Sequence, residues 1–526
     1  MAWKRKISKK YKIKLLQNSE LLGWYKKLLE TKNLPAIDLA KVDLIKLLKK
    51  RAMRTLSGVS VITVLTKPYQ CPGNYLYCPS EPGMPKSYLS NEPAAQRAFK
   101  LKFDSIKQVQ LRIKALEDNG HQVDKIELLV LGGSFTAYTR KYQTDFITKC
   151  FYAANTLSSR RFYLSSRITA GSNRPVKPLK QERKINEKAK YKIIGLTLET
   201  RPDEINLEVI KQFRELGCTR VQLGIQHIDN RILKLNKRGH IVEDSIQATK
   251  LLKQNGFKVD HHYMPDLPGS TPAKDLAMMK KIFTDTDFKP DQIKIYPCVV
   301  NKYAEIYKLY KAKKYKPYSK NNLKKLLINI KKITPYWVRI NRLIRDIPED
   351  SIIAGNKITN LRQYLSKEVN CKCIRCREVG TRHAVFLSKK GGMFLNKIKL
   401  FIIKYKASDG TEYFISYESA DRKILYGFLR LRFNNKNAQI AFPILKDSAI
   451  IRELHVYGQM LPVNAKLKSA SQHKGLGKKL MGQAEKIAKQ KPYRAKKVAV
   501  IAGIGVREYY RKLCYKLKDS YMIKKI

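Results

Sequence analysis

The run Ile126-Glu-Leu-Leu-Val-Leu131 passes into Gly132-Gly133-Ser134-Phe135, and that junction decides the fold. A short apolar run closed by glycines has the length of a buried strand rather than of a buried helix. The same grammar recurs down the chain. Ile193–Leu198 leads into Glu199-Thr200-Arg201-Pro202-Asp203, Val221–Ile225 into Gln226-His227, Val259–Tyr263 into Met264-Pro265-Asp266-Leu267-Pro268, and Gln292–Tyr296 into Pro297-Cys298. Helical periodicity lies between these runs, at Asn206–Leu216, Ser245–Gln254 and Ala273–Phe283. The alternation predicts α/β architecture from about 58 to 300, a parallel sheet or partial (β/α) barrel. Polar, Gly and Pro residues gather at each C-terminal strand end, where barrel-like folds build active sites, so an enzyme is expected.

Outside this region the pattern changes. Residues 1–57 read as basic helices, with Leu21, Leu22, Tyr25, Leu28 and Leu29 at helical spacing and a second segment at Ile45, Leu47 and Leu48. Sixteen Lys and Arg against four Asp and Glu give that stretch an excess of +12. Residues 300–350 are a Lys- and Tyr-rich helical segment closing a unit of 58–355, and 356–395 form a cysteine-rich linker. From 396 to 526 strands at Leu400–Tyr405, Tyr413–Tyr417, Tyr426–Arg432 and Ile450–Val456 precede a helix at about 475–489. A strand at Val498–Ile501 and a helix at about 505–513 complete a second, mixed α/β domain.

Charge sets the partner class. Over 526 residues, Lys+Arg 107 against Asp+Glu 43 leaves +64, and such a surface repels itself unless an anion neutralises it. Nucleic acid is the expected partner. Hydrophobic content of 43% excludes a mainly disordered chain. No run of about 18 apolar residues suggests a membrane span, and the basic N-terminus lacks the apolar core of a secretory signal. Nine cysteines, five of them in two short groups, fit metal chemistry in a reducing cytoplasm better than a disulfide scaffold.

Three local patterns carry chemistry. Cys71-Pro-Gly-Asn-Tyr75-Leu-Tyr-Cys78 sets two cysteines on a turn before the barrel, suited to an iron–sulfur cluster or to a packed thiol pair. Cys371, Cys373 and Cys376 fall within six residues and suit zinc, with His383 as the local fourth ligand, or three reduced thiols. Gln472-His-Lys-Gly475-Leu476-Gly477-Lys478 opens a helix after a strand ending Glu453-Leu454-His455-Val456. The glycines let backbone N–H groups approach a pyrophosphate, unless the turn is structural. This order, with Tyr509-Tyr510 downstream, resembles the acetyl-CoA core of GNAT acyltransferases. Cys150, Cys218 and Cys514 read as core thiols, and His121 as solvent-exposed.

Taken together, the motifs closely resemble the Elongator catalytic subunit family. They run Ser57-Gly-Val-Ser-Val, Lys67-Pro-Tyr-Gln-Cys71, Gly132-Gly133-Ser-Phe, Glu199-Thr-Arg-Pro-Asp, Arg238-Gly-His240, Lys294-Ile-Tyr-Pro297, Arg345-Asp-Ile-Pro348, Arg452-Glu-Leu-His-Val-Tyr-Gly458 and Gln472-His-Lys-Gly-Leu-Gly477. The resemblance implies a radical S-adenosylmethionine barrel fused to a GNAT domain, modifying the wobble uridine of tRNA to 5-carboxymethyluridine with acetyl-CoA as carbon donor. It further implies acetyl-CoA contacts from Lys125, Glu453, Leu454, His455, Val456, Gln472, Gly475, Leu476, Gly477, Lys478 and Tyr510. S-adenosylmethionine contacts would come from Gly132, Gly133, Glu199 and Gln226, and catalytic roles would fall to Tyr509, Tyr510 and Glu199. Cys71 and Cys78 fall on ligand positions of a 4Fe-4S cluster. Partners implied are tRNA and either Elongator-type subunits or further copies of the chain. The sequence departs from the pattern twice: Tyr75 stands where the middle cluster cysteine belongs, and Cys514 where a glycine belongs. Two rival readings follow, a protein lysine acetyltransferase using the GNAT half alone, and a tRNA- and acetyl-CoA-binding relic without a cluster.

Overall fold

Parallel strands cannot be joined by a tight turn, so the helices that separate the apolar runs dictate how the sheet is wound. The computed structural model describes residues 2–12, 14–31, 47–49, 55, 57–157, 174–358, 360–366, 368–380, 398–457 and 475–526. Strands β1 (Ser60–Leu65), β2 (Lys125–Leu131), β3 (Lys192–Thr200), β4 (Arg220–Gln226), β5 (Lys258–Tyr263), β6 (Gln292–Ile295) and β7 (Arg339–Arg342) lie side by side in chain order. All neighbours pair in parallel. No β1–β7 pairing closes the sheet among the described residues, which makes it a partial barrel.

The crossover helices start and stop where the sequence directs. Asp104, Asn206 and Thr271 cap helices Ser105–Asp118, Leu207–Leu216 and Pro272–Thr284 by accepting from the backbone N–H of Lys107, Val209 and Lys274. Gly217, at φ +92, ends Leu207–Leu216 in the left-handed conformation that glycine takes without strain.

The second sheet has the order β13-β14-β12-β11-β10-β9-β8. Its strands are β8 (Ile398–Lys406), β9 (Gly410–Ser419), β10 (Leu425–Asn434), β11 (Ser448–Val456), β12 (Lys497–Val500), β13 (Lys516–Lys518) and β14 (Tyr521–Lys525). Pairing is antiparallel except for β11 with β12. Helix Leu476–Lys489 lays Leu480, Met481, Ala484 and Ile487 on one face of this sheet.

The two sheets share their core. The apolar cluster of the barrel continues without interruption into Ile450, Ala499, Ile501, Ile504, Tyr521 and Ile523 of the mixed sheet. Buried charges tie the same interface: Arg452 reaches Asp291 of the barrel at 2.5 and 2.8 Å and Glu412 at 3.0 Å. Removing one member of such a buried network would strand the others, so it holds the sheets in one relative position.

At the N-terminus, helices Ala2–Lys10 and Asn18–Thr31 are present, and Leu22 is fully buried. No helix among the described residues is long and apolar enough to cross a membrane. Two single-residue expectations are overturned. His121 is buried and its Nδ1 lies 3.0 Å from Thr55 Oγ1, because the N-terminal segment covers the turn that carries it. Cys514 is exposed at φ +66, on a turn that leads the chain out of the core, whereas Cys150 and Cys218 are core thiols as read.

Candidate active site

Strand alternation points every second residue of the barrel into its interior, and here those positions are polar. Arg220 and Gln222 of β4, Asp260 of β5, Gln292 and Lys294 of β6, Asn341 of β7 and Glu127 of β2 belong to one network, in which Gln222 donates to Asp260 at 3.2 Å. Arg220 pairs with Glu127 at 2.7 Å and donates to Gln292 at 2.8 Å. Lys294 Nζ donates to Gln222 at 2.7 Å, and Asn341 donates to Asp260 and Gln292 at 2.8 and 2.7 Å. Closed barrels fill this space with branched apolar side chains. The polar lining leaves it hollow.

Two cavities occupy the hollow. The smaller, about 310 Å³, opens at the C-terminal strand ends and is lined by Cys71, Tyr75, Cys78, Gly133, Glu199, Arg201, Gln226, Arg238, His262, Lys294 and Arg345. Glu199 accepts from Tyr88 Oη at 3.2 Å and lies 3.5 Å from His262 Nδ1. Burial pushes its carboxyl above the ordinary range, against the pull of Lys294 and Arg345. Gln226 Oε1 and His262 Nε2 are buried there without a hydrogen-bond partner. Gly132 does not line the cavity. A Cβ on it would meet Thr66 Oγ1 at 1.9 Å, so this glycine serves close packing while Gly133 faces the space.

The larger cavity, about 1950 Å³, runs from the N-terminal strand ends to the mixed sheet. Lys125, Glu453, Leu454, His455, Val456, Gly475, Gly477, Lys478, Tyr509 and Tyr510 all line it, although they come from both halves of the chain. Leu476 turns inward and is buried, and Gln472 lies outside the described residues. Pairing between β11 and β12 ends at Ile451 with Val500, so Glu453–Val456 run on past the end of that ladder. A register shift between Arg430 and Leu431 of β10 bends β11 at the same point, a bulge of the kind that re-aims strands at functional sites. Helix Leu476–Lys489 starts opposite, behind Gly475 at φ +68 with open space around its Cα. A groove between a strand edge and a helix N-terminus suits a chain with a phosphorylated end.

The titratable groups of this cavity have distinct states. Burial pushes the Glu453 carboxyl up, but Lys258 at 3.6 Å and Arg430 at 2.9 Å outweigh it and hold the group at about 2. Burial raises the Tyr509 phenol to about 12, so it is protonated at neutral pH, and its Oη is buried without a partner. Tyr509 Oη would lie 2.7 Å from a Cβ on Gly477, which places the phenol against the helix start. Tyr510 packs into the apolar cluster behind it. Lys294, Thr63, Leu129 and Arg342 line both cavities, so the two meet inside the barrel. Burial lowers the Lys294 amine to about 8 against the opposing fields of Asp260 and Glu199.

The thiol groups of Cys371, Cys373 and Cys376 lie within 4.8 Å of one another. Three converging thiols fit a metal ion that prefers sulfur, and His383 lies outside the described residues. The triad abuts the barrel where Ile374 N donates to Val338 O at 3.0 Å.

Comparison with known proteins assigns the architecture. The Radical SAM superfamily model matches residues 99–282 and the Radical_SAM C-terminal domain model residues 290–370. A protein of Methanocaldococcus jannaschii named tRNA uridine(34) acetyltransferase is 44% identical, over 92% of this chain and 87% of its own. The chain belongs to the Elongator catalytic subunit family. The human relative, Elongator complex protein 3, is 35% identical over 91% of this chain and 86% of its own. The solved archaeal Elp3 of Methanocaldococcus infernus, lacking residues 1–46, superposes at a TM-score of 0.75 with 40% identity, covering 89% of this chain and 99% of that one.

The radical S-adenosylmethionine architecture implies a 4Fe-4S cluster bound through three thiolates. The residues present do not fit it. Cys71 and Cys78 supply two thiols, and Tyr75 between them supplies a phenol.

Proposed function

We propose that this chain is a tRNA-directed acyltransferase that draws acetyl-CoA into the larger cavity and acts at the wobble uridine. The observation that carries the reading is the union of Lys125 with Glu453–Val456, Gly475, Gly477 and Tyr509 around one cavity that opens into the barrel interior. In this reading the Gly475–Lys478 turn holds the pyrophosphate, the Glu453–Val456 edge holds the pantetheine arm, and the acetyl group points inward toward Lys294. Water adds to the thioester carbonyl, the acyl group leaves as its carboxylate, and the protonated Tyr509 donates a hydrogen bond to the coenzyme A thiolate that departs. Positively charged residues, led by the +12 excess of residues 1–57, hold tRNA. The base must be splayed out of the anticodon to reach a cavity this deep.

The names of the relatives support uridine 34 as the acceptor. The finer product, 5-carboxymethyluridine, needs a radical at the acetyl methyl, and the barrel mouth lacks the third thiolate for it. We propose Gly133, Glu199 and Gln226 as the pocket for S-adenosylmethionine, and zinc for Cys371, Cys373 and Cys376 as a brace between the sheets. Elongator-type subunits, or further copies of the chain, are the proposed protein partners.

Two features weigh against a protein lysine acetyltransferase. In this reading the acetyl end enters the barrel interior, where the two cavities share lining residues, rather than an open peptide groove. Glu453, the carboxylate within the motif itself, is held ionised by two cations and is too weak a base to deprotonate a lysine. The test is acetyl-CoA turnover with tRNA against turnover with a lysine peptide. The expected result is thioester cleavage stimulated by tRNA alone; stimulation by the peptide and not by tRNA overturns the proposal.

A further inference from the structure

The barrel mouth has been rebuilt around Tyr75. Its ring is stacked on Tyr77 with centroids 5.9 Å apart and capped by the guanidinium of Arg238, 3.9 Å from the ring centre. Arg201 stands 5.9 Å away on the same ring. Arg238 is itself fixed, donating to Tyr77 Oη at 3.1 Å and to the carbonyl of Gly224. The phenol end lies inside its own loop: a Cβ on Gly73 would stand 2.3 Å from Tyr75 Cζ and 2.4 Å from Oη. Cys71 and Cys78 line the same cavity as this ring, so an inorganic cluster held by both thiols would have to share that space with it. The hydroxyl is buried there with no hydrogen-bond partner.

No other thiol stands in. Cys298 belongs to the same apolar cluster as Tyr75 and Cys78, but it is wholly buried and does not line the cavity, where its neighbours Pro297 and Val299 do. Cys150, Cys218 and the triad at 371–376 do not line it either. The donor set is two soft thiolates and one hard phenol oxygen, and iron–sulfur clusters are held by thiolates.

We infer that the barrel mouth of this chain is an aromatic–guanidinium plug rather than a cluster site. S-adenosylmethionine is not cleaved here, so no carbon radical forms. What remains is tRNA-stimulated hydrolysis of acetyl-CoA, in which water adds to the thioester carbonyl, the C–S bond breaks, and acetate and coenzyme A leave. The inference rests on the proposed function for what remains active, but its test does not. The geometry also gives the plug a cause, since a planar cation over an aromatic face is a favourable pair that holds the loop closed without metal.

The experiment compares the full chain with Tyr75→Cys and Tyr75→Ser after anaerobic reconstitution with iron and sulfide. Readouts are iron and sulfide per chain, 5′-deoxyadenosine from S-adenosylmethionine, and acetyl-CoA binding as a measure of folding. Tyr75→Cys completes a three-thiolate set and should hold about tenfold more iron and sulfide than the parent, with 5′-deoxyadenosine appearing alongside. Tyr75→Ser removes the ring without adding a thiolate and should stay as low as the parent. A parent chain with a full complement of iron and sulfide overturns the inference. So does a Tyr75→Cys form that still binds acetyl-CoA yet gains no iron, or a Tyr75→Ser form that gains as much as the cysteine variant. If tRNA fails to stimulate thioester cleavage while the parent stays iron-free, the proposed function falls and this inference stands.

Discussion

The two cavities of this molecule are floored by the same strands, yet they stand in different condition. At the wide end, every described residue of the proposed acetyl-CoA site but the inward-turned Leu476 faces the space, and the elements that position them are intact. At the mouth, Glu199, Gln226 and His262 are in place around a pocket whose metal ligand is replaced by a buried ring. The reason is local. A cluster site depends on three side chains of one loop, so a single substitution removes it. The larger cavity is spread over β2, β11, the start of helix Leu476–Lys489 and Tyr509, and each contributes part of the lining. A connected interior does not require both ends to keep the same chemistry.

The largest effect that separates the two ends is expected at Gly477. Its Cα approaches Tyr509 closely enough that any side chain collides with the phenol, and a carboxylate would in addition repel the pyrophosphate. Overpacking costs about 1–3 kcal/mol, so Gly477→Glu should weaken acetyl-CoA binding by up to about a hundredfold. Affinity for tRNA should stay within about twofold, since the charged surface is otherwise untouched. Isothermal titration with each ligand checks it. Equal loss of both would mean that the two binding sites are one cooperative unit and break the comparison.

Much of this arrangement was legible in the sequence. Strands β2 to β6 stood out because their apolar runs end at Gly, Pro or charge, and the mixed sheet followed from alternation in 398–456. Others carried no such signal. Strand β7 is Arg-Ile-Asn-Arg, with one apolar residue, and owes its place to the free edge of β6. Strands β13 and β14 are Lys-rich and were not anticipated, and helix Arg507–Arg511 is shorter than its periodicity suggested. The hollow interior was missed for another reason. Arg220, Gln222, Asp260, Gln292 and Lys294 sit at alternate positions in runs judged by their apolar neighbours, and that period-two polarity was the signal for a lined channel. Cys71, Tyr75 and Cys78 could be read for chemistry from their order alone, but only the packing of Arg238 and Gly73 shows where the ring lies.

A smaller effect is expected where the cavities join. Lys294 is buried between them, and burial lowers its amine from 10.5 to about 8. The unfolded chain binds this proton more tightly than the folded one. The group therefore costs stability below pH 8, and that cost is relieved as the pH rises from about 8 toward 10.5. For the proposed function the sign is opposite, because only the ammonium form would attract a thioester oxygen. Thioester cleavage driven by tRNA should fall as the pH passes about 8. Lys294→Arg should remove that inflection, and Lys294→Met should lower the rate about tenfold at neutral pH, less than a full oxyanion donor contributes. A rate–pH profile of the three proteins checks this. An inflection that survives in Lys294→Arg would assign it to another group and leave the two cavities chemically independent.

The smallest effect concerns the surface that serves both ends. Residues 1–16 carry seven Lys and Arg and no acid, and helix Ala2–Lys10 presents most of them. Lys4 is partly engaged, donating to Leu16 O at 3.1 Å, but Lys6, Lys9 and Lys10 are exposed or half-buried at the surface. Each phosphate contact adds about −0.9 on duplex or −0.7 on single-stranded RNA to the slope of log affinity against log salt. If two or three of these cations meet phosphate, deleting residues 1–16 should make that slope shallower by about 2 and weaken tRNA binding several-fold at moderate salt. Acetyl-CoA binding should not change, because the deleted segment does not line the larger cavity. Binding measured across a salt series, for the full chain and the deletion, decides it. An unchanged slope would show the arm to be a solvated basic tail, and the tRNA contacts would then have to be sought on the barrel and the mixed sheet themselves.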